Sequence, residues 1–124
     1  MAFDWREYLT LARDLQAGRV SSVSQEAIDR CTISRAYYAA FGRARNFAEL
    51  RLGFPEMEEA DVHGKLIRHL RPRRTWGHVA TKLAALRLWR DQCDYDAELP
   101  EDIRRMVEAT LEQAQAVIDA IPIP

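Results

Sequence analysis

One stretch limits what this chain can fold into. SQEAIDRCTISRAYYAAFGRARNFAELR, residues 24–51, reads as one long helix, and at 1.5 Å per residue it spans roughly 40 Å. It is apolar on two sides. Ile28, Cys31, Tyr38 and Phe41 lie along one stripe, and Ile33, Tyr37, Ala40, Ala44 and Phe47 along another. A helix at the edge of a domain needs one such stripe. Two stripes describe the central helix of a bundle, or a helix shared with a second chain.

The other segments supply its neighbours. A first helix is expected from Asp4, where Asp4 and Glu7 form a capping-box pattern. It runs through Trp5, Tyr8, Leu9, Ala12 and Leu15 to a stop at Gly18. Ser21, Ser22 and Ser24 are candidate caps for the long helix. Residues 52–60, LGFPEMEEA, form a turn and linker. A short third helix covers about 60–71 and ends before Pro72. Thr75 is placed as the cap of a fourth helix running to about Gln92, with DYDAEL as its exit. Pro100, Glu101 and Asp102 suit the first turn of a fifth, whose stripe is Ile103, Val107, Thr110 or Leu111, Ala114, Ile118 and Ile121. The expected architecture is all-α: an up-and-down bundle of four to five helices forming one domain over residues 1–124.

Composition agrees. Nearly half of the 124 residues are apolar, enough for a true core, and only five glycines and five prolines interrupt them. Acidic residues enter at Asp4 and Glu7 with no apolar run behind them, unlike a secretory signal, and no uncharged run approaches the length of a membrane span. Cys31 and Cys93 fall on apolar stripes, which suits buried, reduced thiols in a cytoplasmic protein. No group of His, Cys, Asp and Glu has metal-ligand spacing and there is no glycine-rich phosphate loop, so neither metal nor cofactor is expected.

Charge is nearly balanced overall but divided along the chain. Residues 62–90 carry eight basic side chains and no acid, residues 91–124 nine acids and two arginines, and arginine outnumbers lysine sixteen to two. Arginine suits forked contacts with phosphate or carboxylate. The basic third can therefore meet nucleic acid, or acidic helices of the same fold or of a partner.

Two arginines break the apolar pattern. The stripe Val79, Leu83, Leu86 arrives at Arg90 before Cys93, and the stripe from Ile28 through Cys31 to Tyr38 passes over Arg35. Arg35, Tyr37 and Tyr38 stand among the small residues Ala36, Ala39, Ala40 and Gly42, where another helix can approach closely. Asp91, Asp94 and Tyr95 follow Arg90 directly. A polar cluster between the second and fourth helices is expected. An unpaired buried arginine costs several kcal/mol, so partners are required. The cluster can be an ion-pair network that only holds the helices, or an arginine pair lining a phosphate-binding groove.

ISRAYYAAFGRARNF, then HGKLIRHL, then LRLWRDQCDYD, in this order and over nearly the whole chain from Asp4 to about Ile121, resembles the HEPN domain (higher eukaryotes and prokaryotes nucleotide-binding). The resemblance implies a four- or five-helix bundle that pairs into a homodimer through its second and fourth helices. It also implies binding of RNA or nucleotide in a toxin–antitoxin or defence setting, with a neighbouring nucleotidyltransferase or an antitoxin as possible partner. Many members are metal-independent ribonucleases marked by an arginine followed, after four to six residues, by a histidine. The arginine falls on Arg90; the histidine would fall on Tyr95, Asp96 or Ala97, and the chain has no histidine after His78.

Cutting RNA without a metal needs a base for the 2′-hydroxyl and an acid for the leaving oxygen, work suited to a group titrating near neutrality. Asp94 and Tyr95 are the residues in place, one too acidic and the other too basic at their ordinary pKa values. His63, near the start of the third helix, is a displaced base or a packing residue. His69 and His78, beside RPRRTW, are expected in solvent or on phosphate. Trp5, Trp76 and Trp89 are core or dimer contacts first. The expectation is a phosphate binder with weak or absent catalysis, with Arg90, Asp94 and Tyr95 in any catalytic role and Arg35, Tyr38, Asp91 and His63 completing the cluster. A ribonuclease with a substituted base and a structural module for a partner protein are the alternatives.

Overall fold

Ser24 starts the long helix by accepting a hydrogen bond from the Ala27 N–H at 3.1 Å. The computed structural model describes residues 3–18 and 22–122, which form five helices and no strand: α1 Arg6–Gln16, α2 Gln25–Arg51, α3 Val62–Leu70, α4 Gly77–Tyr95 and α5 Ile103–Ala120. The fold is an all-α bundle. Of the three serines considered as caps, Ser24 serves and Ser21 lies outside the described residues.

Both apolar sides of α2 are used, for it packs against each of the other four helices. Ile28, Ile33, Tyr37, Ala40, Phe41, Ala44 and Phe47 are all buried. Leu66 of α3, Leu83 and Leu86 of α4, and Ala114 and Val117 of α5 close the main core around Tyr37, Ala40, Phe41, Ala44 and Phe47. Each fully enclosed leucine contributes about 2–3 kcal/mol relative to exposure. Ile33, Cys93, Met106 and Val107 form a smaller cluster between α2, α4 and α5. The α1–α2 contact is close because Gly42 has no side chain; a Cβ there would lie 2.1 Å from the Trp5 indole.

Several helix ends differ from the sequence expectation. The Asp4–Glu7 capping box does not form: the Asp4 carboxylate takes the Arg6 N–H at 3.0 Å and the Arg6 guanidinium at 2.8 Å, and α1 starts at Arg6. Thr75 does not cap α4. The Trp76 and Gly77 N–H groups bond the Arg73 carbonyl instead, at 3.0 and 2.8 Å, so the turn after α3 runs directly into α4. Pro100 and Glu101 precede α5, whose cap is Asp102, accepting from the Arg104 N–H at 2.9 Å.

The largest difference lies at the end of α4, which continues past Gln92 to Tyr95. Arg30 of α2 explains it. Its guanidinium donates to the carbonyls of Cys93 at 2.9 Å, Asp96 at 2.6 Å and Ala97 at 3.1 Å, while Nε holds Glu26. Carbonyls that a helix end leaves unpaired are satisfied from another helix. Asp94 and Tyr95 are thus helical rather than part of a connection. Of the thiols, Cys93 is buried as expected, and burial pushes it up to about 11. Cys31 is exposed, so its stripe is not covered at that end.

Candidate anion site between α2, α3 and α4

Tyr37 sits midway along α2 and is fully buried. Its ring stacks on Phe41, four residues on, and both lie against His63 in the first turn of α3; the Phe41 and His63 ring centres are 4.1 Å apart. From α4, Arg90 reaches under this aromatic group. Its guanidinium lies 5.0 Å from the Tyr37 ring centre and 5.4 Å from that of Tyr38, within the range in which a ring face attracts a cation. Arg35 lies 5.2 Å from the Tyr38 ring centre and 5.0 Å from that of Tyr8. The two guanidinium groups thus share the Tyr38 ring.

Arg90 is 7% exposed, so its charge needs compensation. Asp91 supplies it at 3.0 Å; Asp94, one turn along, stands farther off at 4.0 Å and also accepts from the Ser34 hydroxyl at 3.3 Å. The Arg90 Nε is buried and has no hydrogen-bond partner among the described residues. Arg35 meets no carboxylate there either; its nearest polar contact is the Ser34 hydroxyl at 3.5 Å. Donor capacity therefore exceeds what the two aspartates take up.

The Tyr37 hydroxyl and His63 Nδ1 are 2.5 Å apart. Burial pushes the Tyr37 phenol well above its ordinary value of 10, so it keeps its proton. His63 is its one side-chain partner among the described residues, so the hydroxyl donates and Nδ1 accepts. Burial, followed by the nearby Arg90 and Arg87 charges, lowers His63 to about 4 from 6.5. At neutral pH the ring is uncharged and carries its hydrogen on Nε2. A ring in this state is a hydrogen-bond donor on its free side, and its one lone pair is engaged.

The expected residues divide accordingly. Arg90, Asp91, Asp94, Arg35, Tyr38 and His63 come together. Tyr95 does not: it is 77% exposed, and five positions after Arg90 turn the helix by about 140° to another face. His69 donates its Nε2–H to the Leu52 carbonyl, 2.8 Å away, and packs on Phe54, so it secures the linker rather than standing in solvent. His78 is exposed, as are Arg68, Arg71, Arg73 and Arg74. Trp76 and Trp89 pack against the core, and Trp5 packs on Tyr8 and over Gly42. Tyr37 was legible as a core residue from its stripe, but its hydrogen bond to His63, twenty-six residues away, carried no local signal. Ser34 was likewise missed.

Among the described residues, no group of three His, Cys, Asp or Glu could hold a metal ion, and no helix is long and apolar enough to cross a membrane. No family model, curated protein or solved structure matches this chain.

Proposed function

We propose that this chain is an HEPN-like protein that binds the phosphate of RNA or of a nucleotide at the Arg90–Arg35 cluster, with weak or absent catalysis, in a toxin–antitoxin or defence setting. The observation that carries the reading is the surplus of fixed donors. Two guanidinium groups flank Tyr38, one of them with an unpartnered Nε, and the His63 ring lies against the same tyrosine. Such a set favours a phosphate oxygen, and its aromatic packing holds it in place before the ligand arrives. The state of His63 argues against the ribonuclease alternative, because its lone pair already accepts from Tyr37.

A homodimer is part of the proposal and rests on the family resemblance. A cytoplasmic setting belongs to the same reading and rests on the free thiols Cys31 and Cys93; a nucleotidyltransferase or antitoxin partner rests on the family resemblance alone.

Labelled single-stranded RNA incubated with the protein in EDTA tests this directly, with Arg90→Lys alongside. Lysine keeps the charge but loses the fork and the ring stacking. The expected result is salt-sensitive binding by the wild type, about tenfold weaker in Arg90→Lys, without cleavage. Cleavage abolished by Arg90→Lys would make the protein a ribonuclease. Absence of binding at low salt would make the cluster purely architectural.

A further inference from the structure

Beside the Arg90 cluster a groove of about 520 Å³ runs between α3 and α4. Its floor is Ile67, Ala84 and Leu88, and its rim is Arg68, Arg71 and Arg87. Asp91 joins groove and cluster, for it lines the one and pairs with Arg90 of the other. The volume lies within the range of about 300–1,000 Å³ common to ligand sites, and an apolar floor under an arginine rim suits a nucleotide unit with its phosphate.

Two of the three rim arginines are already engaged by one carboxylate. Asp61, the residue before α3, lies 3.1 Å from Arg68 and 3.7 Å from Arg87. The Arg68 hydrogen bond holds its carboxyl below the usual 3.8. It reaches both because Gly64 leaves room. A Cβ on residue 64 would lie 2.6 Å from the Asp61 carboxylate, 3.1 Å from Arg87 and 3.2 Å from Arg68. The pairs are exposed, with the Asp61 side chain 53% accessible and that of Arg68 65%, so they are weak and easily exchanged.

We propose that Asp61 is a built-in competitor: its carboxylate occupies the arginine rim of the α3–α4 groove, and the phosphodiester backbone of a single-stranded RNA binds there by taking Arg68 and Arg87 from it. This rests on the phosphate-binding reading above and adds a regulated entry to the same site. The charge pattern suits the occupant, since residues 62–90 contain no acid and Asp61 stands immediately before them. Gly64 is the structural condition for the competition, because any side chain there displaces the carboxylate.

The test is equilibrium binding of a labelled single-stranded RNA to the full chain, with tripolyphosphate as a competitor to separate strand binding from capture of free phosphate. Asp61→Asn and Gly64→Ala are each expected to tighten binding about threefold to fivefold. Gly64→Ala places a better helix former in α3 and meets only the movable ends of the Asp61, Arg87 and Arg68 side chains, so this variant keeps the fold. Arg68→Gln with Arg87→Gln is expected to weaken binding and remove the gain from Asp61→Asn. Glu112→Gln, the same change of charge on exposed α5, leaves affinity unchanged. The proposal is overturned if Asp61→Asn gives no gain, if Glu112→Gln gives an equal one, or if the gain survives loss of both arginines. Should wild-type RNA binding fall in Arg90→Lys while Asp61→Asn is inert, only the competitor fails. Should neither wild type nor Asp61→Asn bind RNA or tripolyphosphate at low salt, the phosphate reading fails with it. Inhibition by tripolyphosphate equal to that by unlabelled RNA of the same phosphate content would transfer the rim to free phosphate and overturn the strand assignment.

Discussion

Acidification should weaken the fold through His63 in a window of its own. In the unfolded chain its imidazole titrates at 6.5, and in the folded protein at about 4. Between those values the unfolded state binds the extra proton, so stability rises with pH across the window and falls as the pH drops from above 6.5 toward 4. The gap amounts to about 2–3 kcal/mol in favour of the neutral ring, given that the side chain is not fully enclosed. Asp29 and Asp61 have folded values below 3.8, so the stability they add is lost only as pH falls further. Urea unfolding of wild type and His63→Gln at pH 7, 5.5 and 4.5 isolates the histidine. The wild type should lose about 2–3 kcal/mol across this range, beyond any loss in His63→Gln. A nitrogen–proton correlation spectrum of the imidazole reads the tautomer at the same time, with Nε2–H expected at pH 7. An equal loss in both proteins, or a ring carrying its hydrogen on Nδ1, would refute both the buried donation from Tyr37 and the argument that His63 cannot act as a base.

Three further outcomes follow from packing. Arg30→Ala removes the side chain that takes three carbonyls at the end of α4; it should cost about 1–3 kcal/mol and raise amide exchange at the nearby helix end and exit loop without unfolding α1. Gly42→Ala drives a methyl group into the Trp5 indole; a loss of about 1–3 kcal/mol with changed tryptophan emission is expected, and a neutral result would mean that α1 shifts freely on α2. Asp29 is 1% exposed and joins three helices, accepting from Gln16, Gln25 and Arg104; Asp29→Ala strands those donors and should destabilise by about 2–4 kcal/mol in chemical denaturation.

The sequence by itself determined the helical architecture. Apolar residues recurring at the helical period on two sides of residues 24–51 leave that segment no stable place except among other helices, and the structure puts it at the centre. It also exposed Arg90 and Arg35 as misplaced charges, because a stripe broken by an arginine is visible in one dimension. Helix ends were less legible. They depend on which groups satisfy the last carbonyls and first amides, and for α4 that group is Arg30, sixty-three residues from Cys93. The fate of each polar side chain was decided by tertiary structure alone. Tyr37 and His63 are hydrogen-bonded only because α3 crosses α2 there, and burial beside Arg90 then keeps that histidine neutral. Asp61 meets Arg87 only across the α3–α4 contact, while Tyr95, next in sequence to the cluster, is turned away from it by one residue's rotation. Periodicity records which face of a helix is apolar; the charge and hydrogen-bond state of a group depends on distances between helices, which no local pattern encodes.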